Sequence, residues 1–526
     1  MIQSIDPTTV IYNSLESLDI SVEHTAASLR ETEYWLQNNG INEPDLVDLT
    51  HLPFVTMDNE DSRDLDQALY ITRTADGYQI MYALADAAWY IRPGSALFDE
   101  ALQRGSSYYT PLLAASMLPT ALSEGLISLN EGVLRRSLVF DMLLDQNAAV
   151  TRCDVKRARI KSCAKLSYAG VQQWLDSANT QTEPFHESLL LLREAGEKLI
   201  KAGEERGVVR FDRTDVEICI SGTPARLQPG PRQRYHTERY NEQLSLLCNM
   251  QGAQLLLGLS GVSDVVQAVY RVHEAPLRKN LGKLRKILDA MADAHDADDA
   301  WRWQDGQSLA AFVESLPDQP KYQRRVRAIQ RQIMQAQRSS EFTPDPGEHH
   351  ALKVCSYARF SSPMREIVGI FTHKELLEAL NGSSFDAQTA NQADEALREQ
   401  VIQAANQARQ RQRQLDKKIE LATLLGVFKS DLEADVTRWH SGTIMGMRSN
   451  RLYVSLDELA LNIKVYVEDL ESQWACSYEL DNASARPLAP VANNAAPQWL
   501  LGDGVKVHIS SFDASRQKLV FNMFAL

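Results

Sequence analysis

The sequence predicts an α+β fold: a large mixed domain, then a helical segment, then a small β-barrel at the C-terminal end. Three observations predict it. Residues 48 to about 375 mix strand-like and helix-like runs, with no internal repeat and no low-complexity linker. Residues 379 to 432 turn rich in Ala and Gln with interspersed Arg, and Leu380, Ala404, Leu415 and Leu421 suit a packed helix pair. From residue 433 the composition changes to short β-rich runs at 441–447, 450–454, 464–467, 505–509 and 518–521, with turn signals at 502–504 and 513–515. The expected divisions are a short helical segment over 1–47, a main domain over 48–378, its helical extension over 379–432 and the barrel over 433–526.

Length and composition narrow the class. A chain of 526 residues allows two to four domains and a large core. Apolar content of 44% and charged content of 24% are ordinary for a globular protein. The first residues lack a basic stretch followed by an apolar run, and no apolar stretch approaches the ~20 residues that span a bilayer. A cytoplasmic protein without membrane contact is expected, and a monomer. Six cysteines lie far apart without a CxxC pair, which argues against zinc and for free thiols.

The net charge of −14 excludes a simple nucleic-acid coat protein but leaves room for a local basic channel. Positive charge is segregated: Lys321, Arg324, Arg325, Arg327, Arg331 and Arg338 form one group, and Arg409, Arg411, Arg413, Lys417 and Lys418 another. Solvated helix faces and RNA contact are both open readings of these groups.

Ser21 to Asn38 has an amphipathic tendency that Gly40 and Pro44 end. The densest chemistry follows in Val55 to Tyr70, VTMDNEDSRDLDQALY. Asp58, Asp61, Asp64 and Asp66 fall between an apolar run at 52–57 and another at 68–71. The turn signal Ala75-Asp76-Gly77 and a matching strand at 78–83 come next. The carboxylates therefore lie on a loop between strands of one sheet. If the segment is extended, Asp64 and Asp66 point to the same side. Like charges this close need a cation or water, and hard oxygen donors suit magnesium or manganese. A solvated acidic loop is the alternative. A calcium loop is not met, because the alternating Asp, central Gly and terminal Glu are missing.

The stretch TMDNEDSRDLDQAL resembles the signature loop of the ribonuclease II family, the RNB-domain exoribonucleases. In the family's order, Asp58, Asp64 and Asp66 match three of its four aspartates, and Gln67 replaces the fourth. RGSSYYTPLLAASMLP over 104–119 resembles the stretch that carries an RNA-clamping aromatic, which is Tyr109 here; core packing is the alternative. IKSCAKLSY resembles a strand-to-helix junction whose tyrosine is Tyr168, implied to lie near an RNA 3′ end; a structural role is the alternative. Where some relatives carry a second clamping aromatic, this chain has Val216 by alignment, with Phe211 nearby. YNEQLSLLCNMQ resembles a family helix, keeping Glu242 and placing Gln243 where a second carboxylate is usual. YRVHEAP matches a landmark whose His273 is read mainly as a core or hydrogen-bonding histidine.

YARFSSPMREIVGIFTHKELL over 357–377 resembles the second family signature through Tyr357, Ser361, Ser362, Pro363, Arg365 and His373. Its pattern predicts Ser362 as an N-cap, Pro363 in the first helical turn and Arg365 near the positive helix end, facing a phosphate. Glu366 replaces a basic residue, Gly369 an Asp, and Ala351 and Lys353 two glycines. Gln412 aligns with a family glutamate. The terminal GDGVKVHISSFDASRQKLVFNM resembles the last strands of the family's OB-fold barrel, where Tyr453, Tyr466 and Trp474 are available to stack on RNA.

The resemblance implies a processive 3′-to-5′ exoribonuclease on single-stranded RNA, releasing nucleoside 5′-monophosphates. It implies magnesium, with manganese a substitute, held by Asp58, Asp64 and Asp66. Asp64, Asp66 and Arg365 are the implied catalytic residues, and Tyr109, Tyr168, Glu242 and Arg365 the implied RNA contacts. The 47 residues before the main domain are too few for the cold-shock barrels that precede it in many relatives, so these are expected to be absent. The rival readings are a catalytically weakened RNA-binding regulator and a DNA nuclease or phosphodiesterase using the same metal chemistry.

Overall fold

Strand Gly77–Ala85 is apolar at nearly every position, and a strand of that kind must be covered on both faces. It lies at the centre of a seven-stranded sheet. The computed structural model describes residues 6–177, 183–211, 215–260, 266–294, 299–381, 387–459, 461–488, 496–513, 515–516 and 518–526. In chain order the first strands are β1 (Val47–Asp48), β2 (Val55–Asp58), β3 (Gln67–Arg73), β4 (Gly77–Ala85), β5 (Tyr108–Tyr109), β6 (Ala114–Ala115), β7 (Leu134–Asp145), β8 (Val150–Lys161) and β9 (Ala164–Ser167). The sheet order is β1-β8-β7-β4-β3-β2-β9, and β5 and β6 form a separate short hairpin. Only the outer pairs β1·β8 and β2·β9 are parallel.

Alternation divides the side chains between two cores. Leu69, Ile71, Tyr78, Ile80 and Tyr82 pack with residues of the helices His186–Glu205 and His236–Ser260. Ala68, Met81, Ala83 and Ala85 pack with Leu97, Phe98, Val368 and Phe371 from the helices Ala96–Arg104 and Ile367–Asn381. The main sheet is thus sandwiched by helices, and the β2–β3 loop emerges at one end of it.

The N-terminal helix predicted over 21–38 begins at Ala26, because the Thr25 hydroxyl caps it by accepting from Ser28 N at 3.2 Å. Another helix, Pro7–Glu16, precedes it. The strand expected after Arg210 runs Asp215–Ser221, and Asp212 lies outside the described residues. Phe211 packs into the core around Leu284, Trp301 and Phe312, which lines neither cleft described below.

The segment 379–432, expected as a helix pair, instead forms one long helix, Ala387–Leu432, which packs against the preceding helix Ile367–Asn381. Leu415 is fully buried, but Leu380 and Leu421 are exposed. Leu421 stands on a helix only partly covered by protein, so apolar spacing alone could not assign its face.

The C-terminal unit is a five-stranded antiparallel barrel, Asn462–Tyr466, Arg451–Leu456, His440–Arg448, Gly504–Asp513 and Lys518–Ala525 in spatial order, with its first and last strands in contact. These five strands coincide with the five β-rich runs, giving the expected OB-like form. A basic helix, Gln323–Ala336, docks onto the barrel. Arg324 and Arg327 pair with Asp457 at 2.5 and 3.4 Å, and Arg331 donates to Asn462 Oδ1 at 2.5 Å. Half of that basic group is therefore committed to domain docking. Among the described residues no helix is long and apolar enough to cross a membrane.

Candidate active site

The β2–β3 loop carries the acidic cluster to the edge of a cleft of about 400 Å³. Asp58 ends β2, a little earlier than a purely loop position, while Asp64 and Asp66 follow in the connection. Asp58, Asp66, Tyr168, Glu242 and Arg365 all line this cleft. Asp64 and Tyr109 stand beside it, the Tyr109 hydroxyl donating to Asp64 Oδ2 at 3.4 Å.

Asp66 is buried, and its two oxygens are separately held. Oδ1 accepts from Met364 N at 2.9 Å and Oδ2 from Arg365 Nε at 2.6 Å. Burial raises its pKa to about 6 even though Arg365 opposes the shift. Burial also raises Asp64, again against the pull of Arg365. One guanidinium thus faces three carboxylates, counting Asp58, and both Asp64 and Asp66 are reluctant to ionise without further positive charge. This all-oxygen donor set fits a hard divalent cation. The three carboxylates do not converge as tightly as Glu375, Glu378 and Asp394, whose oxygens lie within 4.8 Å of one another. That other cluster already surrounds the Lys374 ammonium at 2.8–3.0 Å.

The segment carrying Arg365 does not form the predicted helix start. The helix begins at Ile367, and residues 362–366 make turns in which Arg365 N and Glu366 N both donate to Ser362 O, at 3.2 and 3.1 Å. The reason is tertiary: Ser107 N donates to Arg365 O at 2.9 Å and Ile367 N to Gly105 O at 3.1 Å, so this backbone bridges to the 105–107 segment instead. Arg365 is therefore aimed by a turn and by Asp66. Pro363 stands before the helix, outside its first turn.

Tyr168 opens the helix Tyr168–Asp176 behind β9, with Ser167 as its cap, as the junction predicts. Its hydroxyl accepts from Asn241 Nδ2 at 3.2 Å, and burial, with Asp58 adding to it, raises its pKa to about 12. Glu242 is held by Arg234 at 2.6 Å. Tyr109, 46% exposed, offers its ring to solvent, and its backbone is gripped from the long helix: Tyr109 N donates to Gln412 Oε1 at 3.1 Å and Gln412 Nε2 donates to Tyr109 O at 3.2 Å. His273 lines neither cleft; its Nδ1 accepts from Ala351 N at 3.2 Å, consistent with a structural histidine.

A buried residue that the sequence reading passed over ties the parts together. Asn249 accepts from Phe360 N and Ser361 N at 2.7 and 3.1 Å, and donates to Tyr357 Oη and Ser361 Oγ at 2.9 Å each. All four of its hydrogen-bonding positions are used on the 357–361 segment. The signal was present, since Asn249 closes the helix motif at 240–251, but only the fold brings it under the second signature.

Residues 46–382, more than half of the chain, match the RNB domain. The chain belongs to the RNB-domain family. It is 26% identical over 488 residues to ribonuclease R of Escherichia coli (strain K12), a match covering 91% of this chain and 57% of that protein. The chain thus spans little more than half the length of such a relative. The apo structure of Mycoplasma genitalium RNase R superposes with a TM-score of 0.85 at 20% identity, covering 99% of this chain and 78% of that one. The yeast protein Ssd1, described as a pseudonuclease, superposes with a TM-score of 0.63 at 15% identity over 96% of this chain and 58% of its own. At these identities the structural likenesses speak for the fold alone.

The departures from the RNB signatures have local partners. Both ends of the Gln67 amide are committed, Nε2 to Ser361 O and Oε1 to the Tyr82 hydroxyl. Glu366 accepts a two-nitrogen fork from Arg359 at 3.0–3.3 Å. A Cβ on Gly369 would come within 2.8 Å of Pro363 Cα, so this RNB domain has no room for an Asp there without moving the turn. Lys353, at a family glycine position, retains the left-handed backbone with φ of 55°.

Proposed function

We propose that this protein is a 3′-to-5′ exoribonuclease that hydrolyses single-stranded RNA processively to nucleoside 5′-monophosphates. The observation that carries the reading is the buried Asp66, held by Arg365 and the Met364 amide at the edge of a cleft that Asp58 also lines, within a chain of the RNB family. Magnesium, with manganese as a substitute, would be held by Asp58, Asp64 and Asp66, and when bound it supplies positive charge at the scissile phosphate and makes a nearby water more acidic.

The chain's own residues do the rest. Arg365 spends Nε on Asp66, which leaves its terminal nitrogens for a phosphate oxygen and for the charge that builds up during in-line attack. Asp64, less buried than Asp66, is the carboxylate to receive the proton of the attacking water. Tyr109 stacks on the terminal base and sets the register of the strand. Tyr168 and Glu242, with Asn241 between them in the cleft, offer polar atoms to the adjoining ribose.

We assign 48–378 to catalysis, 379–432 to its helical support and 433–526 to RNA binding by the barrel. The setting is cytoplasmic and the working form a monomer. The rival reading is an RNA-binding regulator with a weakened centre. It is favoured by the Gln67 amide, which stands in place of a fourth carboxylate and is already occupied on both sides.

The test is a 5′-labelled single-stranded RNA of ~30 nucleotides, long enough to fill a stacking groove, with magnesium or manganese, alongside the Asp66→Asn variant. Shortening to a small 5′-labelled end product by the native protein alone supports the enzyme. Binding without shortening in either metal supports the regulator.

A further inference from the structure

Arg365 also lines a second cleft. This groove of about 400 Å³ is lined by Tyr109, Phe342, Arg359, Glu366 and Arg409 among others, and it shares Arg359, Ser362 and Arg365 with the acidic cleft. The two clefts therefore meet at Arg365.

Three guanidinium groups line the groove against one carboxylate. Arg359 is matched by Glu366, and Arg365 by Asp66 from the neighbouring cleft. Arg409 has no such match. Its Nη1 donates to Ser340 O at 2.5 Å and its Nη2 to Ser340 Oγ at 3.1 Å, both neutral acceptors. Arg271 Nε donates to the same Ser340 Oγ at 3.2 Å, and both guanidinium carbons lie 5.8 Å from the Phe342 ring centre. Among the described residues, no carboxylate lies within ion-pair distance of either. Burial first, then repulsion from Arg271 and Arg413, lowers the pKa of Arg409 to about 10. Glu366 offsets this crowding only in part, and guanidinium groups with charge to spare suit a phosphate.

We infer that this groove receives a phosphomonoester on the 3′ oxygen of the terminal nucleotide, so that RNA ending in a 3′-phosphate is a substrate alongside RNA ending in a 3′-hydroxyl. The inference rests on the exoribonuclease reading and on Tyr109 as the seat of the terminal base. Tyr109 and Arg409 line the same groove, and the inference takes the 3′ oxygen of a base stacked on Tyr109 to lie toward Arg409. The chemistry of the first turnover is unchanged. Water oxygen bonds to the scissile phosphorus, the bond from phosphorus to the upstream 3′ oxygen breaks, and that oxygen takes a proton. The first product is then a nucleoside 3′,5′-bisphosphate, and later products are 5′-monophosphates.

The experiment uses the full chain with magnesium and one RNA sequence of ~30 nucleotides in 3′-hydroxyl and 3′-phosphate forms, the latter also radiolabelled in its terminal phosphate. The expected result is that both are shortened at similar rates and the 3′ label leaves as nucleoside 3′,5′-bisphosphate. Arg409→Gln is expected to lower the ratio of 3′-phosphate to 3′-hydroxyl rates roughly tenfold, the worth of one charged contact, and Arg409→Lys to lower it less. Resistance of the 3′-phosphate RNA while the 3′-hydroxyl RNA is degraded overturns the inference and leaves the exoribonuclease standing. Release of the label as inorganic phosphate, or an equal loss on both substrates in Arg409→Gln, also overturns it, the latter marking Arg409 as a backbone contact. Failure of the native protein on both RNAs refutes the exoribonuclease reading itself, and this inference with it.

Discussion

Gln412→Ala tests whether the Tyr109 ring is positioned from the long helix. β5 is only two residues long, and among the described strands it pairs with β6 alone, so the other backbone edge of Tyr109 has no strand beside it. The Gln412 side chain acts as a substitute neighbouring strand, taking the Tyr109 N–H at 3.1 Å and supplying an N–H to its carbonyl at 3.2 Å. It is itself steadied by Asp416, which accepts from Gln412 Nε2 at 2.7 Å. A neutral hydrogen bond contributes ~0.5–1 kcal/mol net at a partly exposed site, so removing both frees ~1–2 kcal/mol of positioning. Base stacking on one aromatic is worth ~1–3 kcal/mol, enough to absorb that loss. RNA affinity should therefore fall roughly 5–30-fold. The assay is fluorescence anisotropy with single-stranded RNA, paired with steady-state kinetics and thermal melting. KM should rise with little change in kcat or Tm. Gln412→Glu loses the donor and sets a carboxylate against Asp416 and the Tyr109 carbonyl, and should lower affinity at least as far. A lower Tm with unchanged KM would refute the argument and leave Gln412 as an ordinary packing residue.

Three further outcomes are expected. Gln67→Asp should destabilise the fold by ~1–3 kcal/mol, because the Ser361 carbonyl loses its donor, without lowering the magnesium concentration for half-maximal activity; a lower concentration would show that position 67 faces the ion. Burial, only partly offset by Lys374, raises Glu375 to about 7 from 4.5, so its ionised form costs stability. That contribution is fully present below pH 4.5 and is lost as pH rises through about 7, with a magnitude on the order of 1–3 kcal/mol. Glu375→Gln should flatten the fall in Tm across that window, and an unchanged slope would count against it. Gly252→Ala would place a Cβ 2.4 Å from the fully buried Phe360 ring, costing ~1–3 kcal/mol in chemical denaturation; a neutral effect would mean the ring can retreat.

The chain's local patterns carried a good deal by themselves. Period-two alternation and turn residues located β3, β4 and all five barrel strands, because strand faces and turns are governed by near neighbours. The spacing of Asp58, Asp64 and Asp66, and the order of the motifs along the chain, pointed to the RNB family. Tertiary structure decided what depends on contacts between distant residues. Asp66 and Arg365 are 299 positions apart, and only the packing of the β2–β3 loop against the 362–366 turn makes them a pair. The helix expected at Ser362 starts at Ile367 because the backbone finds hydrogen bonds on the 105–107 segment, a competitor that no local propensity reveals. The same holds for the basic runs: a linear reading leaves Arg324, Arg327 and Arg331 open between solvated faces and RNA contact, and the fold ties them to Asp457 and Asn462. A charge pattern records which ions a segment carries, while the partner that neutralises each one is chosen by the fold.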